Sequence, residues 1–401
     1  MPTRTVFWRF ITRTATALAA ATTTATTTHR FVSHPHSIIF LLLICFTIMV
    51  HTTDSLPVSK SGTAIPGTSR HSSSSSSLLS QTKGWIVVDF DGTCSVQDTT
   101  PLLPKLAALH DNDNNDVGDP SCEATVVTKQ ERLKTFAQLE QEFFALYKTA
   151  QDTLCHETMS LEQALDHLDQ ASNTVTEQVS ASRVLKGLHA VSSHSLLQQQ
   201  QQQQQRQQQS ESTSVTEVPL RPNCAQVLAQ LLSKQQWKFG ILSINWCPAL
   251  IEAALIHPIQ HHLQTMTHKN PQQMKNSIDV AIWSNNVTED GTVILDVPGA
   301  LAKKERIAQL KRKRPHNRSE GDHENDSSSC QVIYIGDSST DLAALMEADI
   351  GILIGQSAST LDMAKRWNVP VMPLQQWQAQ SPPIIWTTNT WSEIGSFLEK
   401  L

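Results

Sequence analysis

The segment Trp85-Ile-Val-Val-Asp-Phe90 is apolar over its first four residues, reaches an acid at the fifth, and is followed at once by a second acid and a glycine, Asp91 and Gly92. An unbroken apolar run of this length is what a strand buried on both faces requires. Burial on both faces is the condition of a parallel sheet covered by helices. Similar runs recur at Phe239–Leu242, Val332–Ile335 and Ile350–Ile354 and, with a weaker pattern, at Val280–Trp283 and Val369–Leu374. Helical stretches separate several of them. The alternation predicts an α/β fold built on a parallel sheet.

Almost 150 residues without a strand run lie between the first two of these segments. Within them Leu133, Phe136, Phe143, Tyr147 and Leu154 recur at helical spacing, as do Leu161, Leu165 and Leu168, then Val175, Val179 and Leu188. These are amphipathic helices of an inserted module, expected over 102–197, with the core formed by 84–101 and 220–401. Three stretches have compositions that cannot form a core. They are the acidic, Asn-rich Asp111–Asp119, the glutamine tract Gln198–Gln209 within a disordered insertion over 198–219, and Lys311–Ser329, expected to be a mobile loop.

The N-terminus is set apart by charge. Arg4, Arg9, Arg13 and Arg30 precede the first acid, Asp54, in a Thr- and Ala-rich stretch. That composition predicts an organellar import signal, with the mitochondrion as first choice. Ile38–Val50 is apolar except for Thr47. It is shorter than the roughly 20 residues of a membrane span, and fits a secretory hydrophobic region or an anchor with membrane contact. The two readings of residues 1–53 stand side by side, together with a third, that the true start lies further along. Residues 54–83 are Ser-rich and are expected to be a disordered linker. The net charge of −6 disfavours an electrostatic nucleic-acid binder. The seven cysteines have no CxxC spacing, so neither a zinc site nor a disulfide framework is indicated.

Four local patterns carry chemistry. Asp89 and Asp91 close the first strand, at the sheet edge where ligands of open α/β sheets bind. Two such acids repel unless a cation or proton intervenes, and Mg²⁺ is the usual partner in phosphate chemistry. Gly92 and Thr93 complete the turn. Asp337 and Asp341 follow another strand in Gly336-Asp-Ser-Ser-Thr-Asp341, where Asp337 can join the same metal site and Asp341 opens a helix. Ser243 closes the strand at Phe239–Leu242 and can donate to a phosphate oxygen. Lys303 or Lys304, ahead of Ile307 and Leu310, can neutralise a phosphoryl group; Lys303 has the better spacing. Asn245, Trp246 and Asn285 follow strand tips and are candidate pocket residues. Trp246 can stack on an aromatic ring of a substrate, but reads first as a core aromatic under the inserted helices. Cys94 and Cys247 read as buried residues rather than nucleophiles, because no histidine neighbours either.

In this order the four patterns resemble the motifs of the haloacid-dehalogenase-like superfamily of phosphohydrolases. The resemblance implies a Rossmann-like parallel sheet with an inserted all-helical C1-type cap. It further implies a hydrolase acting on small phosphate monoesters: Asp89 as nucleophile, Asp91 as general acid and base, Mg²⁺ held by Asp89, the Asp91 carbonyl and Asp337 with Asp341 close by, and the phosphoryl group held by Ser243, Lys303 and amides near Gly92. Within the superfamily the phosphoserine-phosphatase-like branch is most similar. Asp89–Leu103, Ile241–Ile251, Gly336–Gly355 and the helical segment Arg132–Phe143 resemble the phosphatase half of plant bifunctional thiamine-biosynthesis proteins. That implies thiamine monophosphate as substrate, with pyrimidine 5′-nucleotidase and phosphoserine phosphatase as the competing activities. A non-catalytic binding protein on the same fold is the alternative of another class, and the intact pair of Asp89 and Asp91 weighs against it.

Overall fold

The computed structural model describes residues 83–111, 128–207, 218–234, 236–267, 280–313, 331–378 and 384–401. The expected targeting segment and Ser-rich linker up to residue 82, all but Asp111 of the acidic stretch, the end of the glutamine tract with the residues to 217, and most of Lys311–Ser329 lie outside the described residues.

The core is a seven-stranded sheet. Its strands are β1 (Gly84–Val88), β2 (Trp237–Leu242), β3 (Val280–Trp283), β6 (Gln331–Gly336), β7 (Ile350–Ile354), β8 (Val371–Pro373) and β9 (Ile385–Thr388), in the order β3-β2-β1-β6-β7-β9-β8. Every pairing in it is parallel. A small antiparallel pair, β4 (Asn286–Val287) with β5 (Val293–Ile294), stands apart. The apolar runs are unbroken because the two faces bury different partners. Ile86 and Val88 enter one hydrophobic cluster, with residues of the helices Cys224–Ser233, His257–Thr267 and Trp391–Leu398. Val87 enters the other, with residues of Ala300–Arg312, Leu342–Glu347 and Ala358–Arg366.

Strand order places the site. From β1 the chain builds outward through β2 to β3, then returns to add β6 on the other flank of β1. The reversal between β1 and β6 opens a crevice at their carboxyl ends, the place where such sheets bind ligands. Asp89 leaves β1 there and Asp337 leaves β6 beside it, with Val88 paired to Ile335.

The inserted segment is helical, as its periodicity predicts. Lys129–Asp152 and Leu161–Ser182 form a pair of long helices packed together, each opened by a capping box, Thr128 with Glu131 and Ser160 with Gln163. Each box satisfies amide groups that a helix start leaves bare, an effect of roughly 1 kcal/mol. The structure corrects two sequence expectations. The glutamine tract does not begin as a disordered insertion at residue 198: the helix Ser193–Gln207 runs through its first part. Ser192 starts that helix by accepting from the Ser195 amide, Leu196 anchors it in the core, and glutamine is a competent helix former. The strand expected at Val369–Leu374 is only Val371–Pro373, and β9 between it and β7 was not anticipated. Among the described residues no helix is long and apolar enough to cross a membrane; Ile38–Val50 is not among them.

Candidate active site

Each acid at the crevice is fixed by a distinct set of partners. Asp89 is buried at the tip of β1. One of its oxygens accepts the Phe90 amide at 2.7 Å, and the other lies 3.2 Å from the Lys303 ammonium. Burial pushes its carboxyl well up, opposed by Lys303, while Asp341, Asp337 and Asp91 add repulsion. Asp337 accepts the Thr93 hydroxyl at 2.7 Å, and burial with the repulsion of Asp341 raises it to about 7. Asp341 is fully buried and held ionised: despite burial, Lys303 keeps its pKa below the ordinary value. One Asp341 oxygen accepts Lys303 Nζ at 2.8 Å and the Tyr334 hydroxyl at 2.6 Å. The other accepts the amides of Asp337 and Ser338, both at 3.0 Å, and the Ser338 hydroxyl at 2.9 Å.

Asp89, Asp337 and Asp341 each present an oxygen such that the three lie within 4.8 Å of one another, so the group could hold a metal ion. The chemistry of the donors fits a hard divalent cation with oxygen ligands. Two of the three carboxyls have pKa values raised by burial and mutual repulsion, and a cation would relieve both. Asp341, with both oxygens engaged by donors of the chain, is an anchor for Lys303 and for the turn 337–338 before it is anything else.

The Asp91 side chain is outside this carboxylate cluster. Its Oδ1 accepts the amide and the hydroxyl of Thr99 at 2.9 and 2.7 Å, and its Oδ2 accepts Asn245 Nδ2 at 2.8 Å. Burial raises its pKa to about 6, with a contribution from Asp98; the bonds from Asn245 and Thr99 pull it back. A carboxyl that titrates there can deliver and take up a proton near neutral pH.

The turn carrying Asp91 is held from behind. Gly92 has φ +72°, and a Cβ there would lie 2.3 Å from the Asp337 carboxylate, so only glycine lets the turn approach β6. Arg221 Nε donates to the Gly92 carbonyl at 2.6 Å, and Trp391 Nε1 donates to the Thr93 carbonyl at 3.0 Å. These two bonds fix the peptide planes next to the acids. The Gly92 amide is used by Ser95 Oγ at 3.0 Å, and the Thr93 hydroxyl by Asp337, so both residues shape the turn.

Of the two candidate lysines the structure brings Lys303 to the site and not Lys304. Lys303 is completely buried between Asp89 and Asp341, whereas Lys304 pairs with Glu162 of the inserted helices. Ser243 is buried after β2, accepts the Asn245 amide at 3.3 Å, and keeps its own proton to donate. The pocket candidates are placed differently from the sequence expectation. Asn245 orients Asp91 and Thr99. Asn285 spends its amide on the carbonyls of Ile244 and Val297 and accepts from the Val297 amide. Trp246 is half-buried and packed against the main hydrophobic cluster, which favours its core reading. Burial keeps the Cys94 and Cys247 thiols protonated, consistent with inert packing. Thr99, Tyr334 and Arg221 were not anticipated. Tyr334 is hidden inside an apolar strand run, Thr99 lies in the Asp89–Leu103 segment with nothing local to single it out, and Arg221 belongs to no local pattern.

No protein-family profile matches the chain. It is 23% identical over 341 residues to the curated "Bifunctional TH2 protein, mitochondrial" of Arabidopsis thaliana, an alignment covering 78% of this chain and 48% of that protein. The chain therefore spans about half the length of the curated relative it matches. Among solved structures it is similar to a phospho-aspartyl intermediate analogue of phosphoserine phosphatase, 11% identical, covering 79% of this chain and 99% of that one with a TM-score of 0.36. A probable phosphoserine phosphatase from Vibrio cholerae is 14% identical, with 71% and 60% covered and a TM-score of 0.28. Superpositions of that quality carry no weight by themselves. The resemblance to haloacid-dehalogenase-like phosphatases rests on the parallel sheet, the helical insertion after β1 and the four motifs meeting at one crevice.

Proposed function

We propose that the chain is a Mg²⁺-dependent phosphomonoesterase working through an aspartyl-phosphate. The observation that carries this reading is the convergence at one sheet edge of Asp89, Asp337, Asp341 and the buried Lys303, with Asp91 held apart beside them. Asp89 is the nucleophile: it attacks phosphorus in line, and the ester oxygen departs with a proton from Asp91. Asp91 then takes a proton from the water that attacks the aspartyl-phosphate, and phosphate leaves. Thr99 and Asn245 hold the Asp91 carboxyl toward that task and tune its proton affinity. Lys303 and Ser243 face the transferred oxygens. Asp89 and Asp337, with the Asp91 carbonyl, are the residues that would hold Mg²⁺, and Asp341 keeps Lys303 in place. When bound, the ion neutralises charge on the phosphoryl oxygens.

Thiamine monophosphate is the proposed substrate. Its support is the likeness of Asp89–Leu103, Ile241–Ile251 and Gly336–Gly355 to the phosphatase half of plant thiamine-biosynthesis proteins, together with the TH2 relative. The mitochondrial designation of that relative supports import into an organelle. The test is phosphate release with Mg²⁺ from thiamine monophosphate, pyrimidine and purine nucleoside monophosphates and phosphoserine, with Asp89→Asn alongside. Preference for thiamine monophosphate, lost in the variant, is the expected result. Preference for another ester removes the substrate and keeps the chemistry; no turnover by folded, Mg²⁺-loaded protein removes both.

A further inference from the structure

The helix Ala300–Arg312 delivers Lys303 to the site, and its N-terminus has no cap of its own. The residue at its N-cap position is Gly299, which has no side chain to offer. The inserted module reaches this helix start. Asp169, on the helix Leu161–Ser182, packs its carboxylate against Gly299, where the amides of Ala300 and Leu301 pull its raised pKa back. A Cβ on Gly299 would fall 2.1 Å from the Asp169 Cγ and 2.2 and 2.3 Å from its two oxygens. The carboxylate thus occupies the space where a side chain at position 299 would be, and any residue larger than glycine evicts it. From the other side Asn285 pins Val297 through both its amide and its carbonyl, at 2.7 and 3.1 Å. The start of the helix is therefore clamped between a core amide and a carboxylate of the insertion. Lys303 lies one turn further on.

We propose that Asp169 is a positioning residue that couples seating of the helical insertion to placement of Lys303: its carboxylate, lodged in the notch left by Gly299, caps the helix whose lysine bridges Asp89 and Asp341. The surroundings suit that role. Asp169 feels Lys303 electrostatically, and burial is the main influence on its carboxyl, which sits at about 7. Tyr147 of the insertion lies near enough to sense Asp169 and meets Ser339, in the turn after Asp337, at 3.1 Å. Further ties, Trp367 to the Met159 carbonyl at 2.9 Å and the Val293 amide to Ser180 Oγ at 3.0 Å, seat the insertion elsewhere on the core. Glu162 of the insertion also meets the Ala300–Arg312 helix, at Lys304, but on a partly exposed face; the Asp169 contact falls at the start of that helix, one turn before Lys303. The inference rests on the phosphatase reading for its catalytic consequence and on geometry alone for the contact.

The experiment compares Asp169→Ala, Asp169→Asn and Gly299→Ala in the full chain, with p-nitrophenyl phosphate and Mg²⁺ as the activity probe and amide hydrogen exchange as a second readout. Asparagine is a good N-cap and keeps an oxygen acceptor. Loss of a cap corresponds to about a five- to tenfold shift in equilibrium. The expected result is that both alanine variants lose about five- to tenfold in kcat with little change in KM, and that Asp169→Asn restores most of it. Exchange at the Ala300 and Leu301 amides rises by a similar factor in both alanine variants, while β1 and β6 stay protected. Unchanged exchange at those two amides, or a Gly299→Ala protein indistinguishable from the parent, overturns the proposal. A parent protein that fails to hydrolyse the probe while the exchange pattern holds would sink the phosphatase reading and leave the clamp standing.

Discussion

Replacing Lys303 by methionine removes one charge from a group of buried acids and changes little else in shape. The ammonium is completely buried, 2.8 Å from Asp341 and 3.2 Å from Asp89, and both acids raise its affinity for its proton above the ordinary lysine value, against burial. Without it, Asp89, Asp337 and Asp341 face one another with only Arg221, acting on Asp337, as counter-charge. Breaking a buried ion pair from one side costs about 3–5 kcal/mol. In metal-free buffer Lys303→Met should therefore lose about that much in urea unfolding at pH 8, where all three acids are driven toward ionisation. Lowering the pH to 5 should return part of the loss, because Asp89 and Asp337, whose pKa values are raised, can neutralise by protonation. Saturating Mg²⁺ should return part of it at pH 8, since the cation replaces charge at the same acids. Lys304→Met is the internal control, because that lysine pairs only with Glu162 on a partly exposed surface and should matter little. A Lys303→Met protein within about 0.5 kcal/mol of the parent at pH 8, an error-sized change, would refute the reasoning.

Other outcomes follow from single groups. Asn245→Ala removes a hydrogen bond that lowers the Asp91 pKa, so the alkaline limb of kcat/KM should move to higher pH; a shift to lower pH would contradict the general-acid role. Mg²⁺ binding should release more protons at pH 6 than at pH 8.5, because Asp337 holds its proton up to about 7 in the metal-free protein; calorimetry in buffers of different ionisation enthalpy reads this directly. The Asp169 carboxyl is raised to about 7, so its ionised form burdens the fold increasingly as pH climbs from about 4 to 7. Asp169→Asn should therefore gain on the parent by as much as about 2 kcal/mol between pH 5 and pH 8 in urea unfolding. A difference that does not vary with pH would contradict this.

What the sequence made legible was local. A polar residue just behind an unbroken apolar run is readable because strand and residue are neighbours in the chain, and Asp89, Asp337 and Ser243 were proposed in that way. Lys303 was separable from Lys304 only by its spacing to Ile307 and Leu310, which put it on the buried face of its helix. Residues whose role depends on a distant partner were not readable. Thr99 looks like a turn residue until Asp91 is placed beside it, and Tyr334 looks like strand filler until its hydroxyl meets Asp341. Asn285 was expected in the pocket because it follows a strand tip; its three bonds instead hold the loops around Ile244 and Val297. The strand β9 was missed because its apolar stretch is short, follows Pro382 and Pro383 and ends in two threonines, so neither length nor alternation marks it. The helical start of the glutamine tract was missed because composition says nothing of a helix already begun at Ser193.

The central claim is that Asp89 carries the phosphoryl group. Its most direct test is to incubate the protein with Mg²⁺ and thiamine monophosphate or p-nitrophenyl phosphate, quench with acid during turnover, and map the phosphoryl adduct by mass spectrometry. The account predicts an adduct on the peptide containing Asp89, accumulating in Asp91→Asn with p-nitrophenyl phosphate, whose leaving group needs no proton while uptake of a proton from the hydrolytic water fails, and absent in Asp89→Asn. Turnover that persists in Asp89→Asn, or an adduct on any other residue, would contradict it.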